Sequence, residues 1–60
     1  MTKAEKHQVA LAIKMQHFGA NYMARALSAL YRSARSSKSQ NEIMAVALAY
    51  GVVGNPEFIA

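Results

Sequence analysis

The chain has no cysteine and no aspartate, and only three acids in all: Glu5, Glu42 and Glu57. Without thiols there are no disulfides and no thiolate-bound metal, so nothing points to an oxidising compartment. His7 and His17 stand far apart with no carboxylate cluster beside them, too few ligands for zinc. The scarcity of acids also removes the close carboxylate pair that acid–base chemistry uses. No Gly-rich phosphate loop and no nucleophile–base arrangement occurs. The chain therefore reads as a non-enzyme with no metal and no cofactor. Long apolar runs are missing too. The longest uncharged one goes from Ile43 to Val53, about half of the ~20 residues a membrane helix needs. An integral membrane protein is not expected. The opening Met1–Lys6 lacks a signal-peptide pattern, so a cytoplasmic location is the expectation.

What is present is a short, greasy, basic chain of 60 residues, 53% hydrophobic and 17% charged, with a net charge of +4. That composition folds and does not stay disordered. It fits one small domain over 1–60. A core of this size is marginal, because ordering costs about 1.5 kcal/mol per residue and little apolar area is available to offset it. With disulfides and metals excluded, a homodimer or larger homo-oligomer is the remaining way to enlarge the core. The basic balance favours a nucleic acid or another polyanion as partner.

Thr2-Lys3-Ala4-Glu5 has the form of a capping box, which opens a helix. The residues behind it are good helix formers. Ser36-Ser37-Lys38-Ser39 is the first interruption, and Ser39-Gln40-Asn41-Glu42 forms a second capping box. Its helix is expected to run to Tyr50, with Gly51 as left-handed C-cap. Gly54-Asn55-Pro56-Glu57 is a turn or a terminal helical start. Phe58 and Ile59 are apolar enough to dock on the core. The fold class is thus all-α: a helical hairpin assembling as a homo-oligomeric bundle. Its first helix spans about residues 3–35 and its second about 40–50. Gly19 could break the first helix, but the apolar phase runs through it unshifted: Leu11, Met15, Phe18, Tyr22, Ala26 and Leu30 stay on one side. Periodicity therefore predicts continuity.

In the same projection Lys3, His7, Ala10, Lys14, His17, Asn21, Arg25, Ser28, Arg32 and Arg35 form a largely polar stripe about 80° wide. No acid falls between Lys6 and Glu42, so helix ion pairs do not offset these charges. Arginines at a helical repeat suit phosphate oxygens. The candidate nucleic-acid-binding set is Lys14, Asn21, Arg25, Ser28, Arg32, Arg35 and Lys38. The plainer reading is the solvated face of a buried helix. The serines of 33–39 read as a helix connection and cap, the histidines as solvated, Tyr22 as apolar face, and Tyr31 as a possible base-stacking contact. The wide apolar arc opposite the stripe exceeds what one neighbour covers. Its residues Leu11, Met15, Phe18, Gly19, Tyr22, Met23, Leu27 and Leu30 form the candidate oligomer interface.

Residues 39–44 with Ala47-Leu48 resemble the second helix of ribbon–helix–helix DNA-binding dimers. Val9, Leu11, Ile13 and Met15 alternate as that family's strand does, and 21–35 would be its first helix. The resemblance implies a DNA-binding dimer reading bases through Gln8, Lys14 and Gln16. Ala10 and Ala12 depart from it, standing where the family presents polar side chains. The functional expectations are ordered accordingly. First comes a small nucleic-acid-binding or regulatory protein. Next is an adaptor or inhibitor that meets a larger protein through its apolar face. Peripheral binding to anionic membrane and the ribbon–helix–helix dimer follow.

Overall fold

A computed structural model describes residues 1–59. It is all-helical, with no strand among the described residues. Helix α1 covers Lys3–Lys14, α2 covers Ala20–Ser33 and α3 covers Ser37–Ala49. A 3₁₀ turn, Met15–Phe18, continues α1 toward Gly19. The chain reverses at Gly19, whose φ of 130° and ψ of 156° lie in a region open essentially to glycine alone. The Gly19 carbonyl accepts from the N–H of Tyr22 at 3.1 Å, which starts α2 with no side-chain cap.

The expected continuous helix over 3–35 is therefore two helices, and the expected two-helix plan has three. An unbroken rod would leave its apolar flank to be covered by other molecules, whereas reversal at Gly19 lets α1 and α2 bury their flanks on each other. The residues that keep phase across the break, Leu11, Met15, Phe18, Tyr22, Ala26 and Leu30, do not form the core: they line an open face of the α1–α2 pair, while Val9, Ala12, Met23, Ala24 and Leu27 turn inward. The ribbon of the ribbon–helix–helix resemblance also fails, because residues 9–14 are helical. The capping box at Thr2 is present, with Glu5 N–H donating to the Thr2 hydroxyl at 3.1 Å and Thr2 N–H to the Glu5 carboxylate at 2.8 Å.

Ser36, not Ser39, caps α3, accepting from the Ser39 N–H at 3.1 Å. That choice turns Ser39 inward, where its hydroxyl donates to the Glu5 carboxylate at 3.0 Å. The far end of α3 follows the sequence. Gly51, at φ 71°, sends its N–H to the Leu48 carbonyl, and the next N–H, of Val52, reaches Ala47 at 3.0 Å. This paired closure buries the apolar residue just beyond the glycine, and Val52 is indeed buried.

Helix α2 packs on both α1 and α3. The core holds Val9 and Ala12 from α1, Met23, Ala24 and Leu27 from α2, and Ile43 and Ala47 from α3. Val52 and Phe58 of the tail complete it. The Glu5 carboxylate also accepts from the Arg35 N–H at 3.3 Å, so the start of α1 lies beside the α2–α3 junction. Since Gly19 joins the other ends, α1 and α2 run in opposite directions.

After α3 the tail returns along α2 as a strap. An Asn55 side-chain N–H donates to the Asn21 side chain at 2.8 Å, and Arg25 donates to Glu57 at 2.9 Å. Ser28 both accepts from the Ile59 N–H at 2.9 Å and donates to its carbonyl at 2.8 Å. Phe58 docks beneath the strap against Tyr31, ring centroids 6.2 Å apart. The side chain of Ile59 remains exposed, and its backbone makes the attachment.

Candidate nucleic-acid interface

The bend at Gly19 and the strap together dismantle the single basic stripe. Lys14 ends α1 at the end of the molecule away from Arg35 and Lys38. Ser28 lies under the strap, and Asn21 and Arg25 are bonded to it from its exposed edge. Ser28 is 1% exposed, and its hydroxyl is used on both sides by Ile59, so no phosphate can reach it. Asn21 is engaged with Asn55. Arg25 is shared between Glu57 and the face of the Tyr22 ring, 5.7 Å from its centroid. The polarity of these positions on α2 matches the tail that lies on them. Tyr31, the expected stacking residue, is half-buried against Phe58.

Arg32, Arg35 and Lys38 remain together at the other end, all exposed. Folding brings Lys3 and Lys6 to the same end, because Glu5 bridges the first turn of α1 to Arg35 and Ser39. The candidate set of residues 14–38 leaves these two lysines out. Gly19 is the signal that finds them: a reversal there returns residues 3–6 to residues 32–38.

All three acids are committed internally. Glu5 accepts from the Thr2 N–H, the Arg35 N–H and the Ser39 hydroxyl. The Thr2 backbone bond above all, helped by the other donors, holds its carboxyl down at about 2 against an ordinary 4.5. Glu42 accepts from the Met1 amine, which chiefly lowers its carboxyl, with smaller help from the charges of Lys38 and Lys6. Glu57 holds Arg25 at 2.9 Å. Among the described residues, Lys3, Lys6, Lys14, Arg32, Arg35 and Lys38 make no ion pair. Five of these six share one pole.

The pole's placement runs against the helix dipoles. Lys3 and Lys6 stand in the first turn of α1, and Lys38 in the first turn of α3, which has no acid there. Helix starts carry partial positive charge and favour carboxylates, so each such lysine costs a few tenths of a kcal/mol or more. Arg32, in the last turn of α2, has the favourable sense. Backbone N–H groups at helix starts and forked guanidinium groups are both phosphate donors. The pole can therefore offer several phosphate contacts over a small area.

The molecule has a second, apolar feature. An open groove of about 350 Å³ runs between α1 and α2. Leu11, Met15 and Leu30 wall it, and the small Ala26 and Ala29 leave it hollow. No charged side chain lines it. Leu11, Met15 and Leu30 belong to the candidate oligomer interface, Ala26 and Ala29 do not, and the face continues to Phe18, 70% exposed, and Tyr22, 48% exposed. Met23 and Leu27 of that candidate set are enclosed within the protomer's own core, where no other molecule can touch them. Gly19 serves the chain reversal and not a close helix approach. No group of histidine and acidic side chains suited to a metal occurs among the described residues. No helix in them is long and apolar enough to cross a membrane. Comparison with protein-family models, curated proteins and solved structures finds no match for this chain.

Proposed function

We propose that this chain is a small non-enzymatic binding protein of the cytoplasm. It grips the phosphates of a nucleic acid with Lys3, Lys6, Arg32, Arg35 and Lys38, and it works as a homo-oligomer. The observation that carries the reading is the set of lysines at the starts of α1 and α3. A chain tuned only for stability places acids there, as this one does once, at Glu5, and departures from local rules concentrate at functional positions. Glu5 and Glu42 keep their negative charges at this end, and the pole is cationic through its excess of lysine and arginine over them, which supports the same partner.

The test is binding of a labelled duplex and a labelled single strand, followed by anisotropy across salt concentrations. Counterion release gives log affinity a slope near −0.9 per phosphate contact on duplex DNA. Arg35→Ala and Lys38→Ala should each weaken binding and reduce that slope by about one contact. Lys14→Ala, at the opposite end, should change little. Salt-independent binding, or a Lys14 effect as large as that of Arg35, rejects the reading. The uncharged groove favours a second reading, an adaptor that holds a larger protein. Such binding would be insensitive to salt and lost on Leu11→Ser.

A further inference from the structure

We propose that the groove between α1 and α2 is covered by a second copy of this chain, turned end for end. The face is built to fit itself. On α1 the groove residues Leu11 and Met15 are followed by Phe18 at the three-residue step of a 3₁₀ turn, which keeps it on the same side. On α2, Tyr22 precedes the groove residue Ala26 by four and shares its side. One face thus carries a hollow at Ala26 and Ala29 and, beyond its end, a projecting Phe18–Tyr22 pair in edge contact at 6.3 Å.

Two faces can meet symmetrically about an axis along the helices or an axis across them. The lengthwise axis sets Phe18 against Phe18 and leaves both hollows empty. The crosswise axis lowers each Phe18 toward the other copy's hollow. Charge makes the same selection independently. The lengthwise axis brings the two cationic poles together, whereas the crosswise axis sends them to opposite ends of a molecule 27 Å long. A face of at most 27 × 19 Å falls at the small end of specific interfaces, which typically bury roughly 800 Å² per partner, so the association is expected to be reversible. The dimer then presents two phosphate-gripping poles facing apart. That consequence rests on the polyanion reading, but the association itself does not.

The test needs no nucleic acid. Sedimentation equilibrium of the full chain should show a reversible dimer whose affinity changes little with salt. Phe18→Ser should weaken it tenfold or more while circular dichroism keeps the helical signal. Leu48→Ser, which alters an exposed side chain on α3, should leave it intact. In a mixed sample of isotope-labelled and unlabelled chains, Phe18 ring protons should show contacts to Leu30 methyl groups of the other copy. A monomer at high concentration overturns the proposal. So does a dimer that responds to Leu48→Ser and not to Phe18→Ser. Intermolecular Phe18–Phe18 contacts without Phe18–Leu30 contacts overturn the end-for-end arrangement. Failure of the nucleic-acid assay alone would leave the dimer standing.

Discussion

Ser28→Ala separates a structural serine from a ligand-binding one. The Ser28 hydroxyl is buried at 1% exposure and makes two short bonds to the backbone of Ile59. Each intramolecular hydrogen bond contributes about 1 kcal/mol net. The Ile59 backbone groups are only part-buried and can regain water, so the loss stays near that net value for each bond instead of the larger cost of a stranded buried group. Alanine is the better helix former and returns up to about 0.5 kcal/mol. With two bonds lost, the expected loss is about 1.5 kcal/mol, from a total of roughly 3–9 kcal/mol for a chain of this length.

Thermal unfolding followed by circular dichroism should show Tm falling by about 6–12 °C. The loss should be local at first. Amide exchange at Phe58 and Ile59 should accelerate while that of Leu27 and Ile43 changes only through the global term. At temperatures where both proteins are folded, nucleic-acid affinity should be unchanged. An unaltered Tm combined with weakened binding would refute the strap as the reason for a polar residue at position 28.

Gly19→Ala should cost about 1–3 kcal/mol by chemical denaturation, from backbone strain alone. The added Cβ would meet Tyr22 at an ordinary 3.7 Å, so a neutral result would contradict the chain reversal. The Glu5 carboxyl is lowered to about 2 from 4.5, so its contribution is full above about 4.5 and is lost as pH falls through about 2. Urea midpoints should therefore decline over that window. Glu5→Gln should be less stable at neutral pH with a shallower acid limb, and parallel profiles for the two proteins would count against the Glu5 bridge. Lys3→Glu, at the first position of α1, should raise stability by about 0.5–1 kcal/mol and weaken polyanion binding. A stabilised variant that still binds as tightly would remove Lys3 from the pole.

Where a local device closes on itself, the sequence was legible. Thr2 with Glu5, and Gly51 ahead of an apolar residue, are each satisfied within a few positions, and both appear as expected. Ser36 and Ser39 were not separable in the same way. Either can cap a helix locally, and the choice depends on Glu5, more than thirty residues earlier, wanting a donor from Ser39. Gly19 was ambiguous because helical phase is blind to a reversal after which the in-phase residues of both arms, Leu11, Met15, Ala26 and Leu30 among them, still end on one shared face. The basic stripe failed for a related reason. A projection on one helix cannot show that Asn21, Arg25 and Ser28 are polar for the sake of a strap arriving from residues 55–59. Phe58 was placed correctly on the core, but the partners that fix its backbone were not visible.

The same strap clarifies why the remaining cations matter. A polar face on a helix in so small a protein has two possible causes, contact with another part of the chain or contact with something outside it. On the upper half of α2, Asn21, Arg25 and Ser28 are each matched by a tail residue, so the internal cause is sufficient. At the pole no such matching occurs among the described residues. Among the described residues, Glu5 and Glu42 stand at this end, bonded to backbone N–H groups, a serine hydroxyl and the Met1 amine; they offset part of the field, and the five cations outnumber them. Solubility alone does not account for the pattern either, since acids at Lys3, Lys6 or Lys38 would keep the surface polar and suit the helix starts better. Mutual repulsion and unfavourable dipoles are tolerated together at one end of the molecule, which is the arrangement a polyanion would relieve on binding.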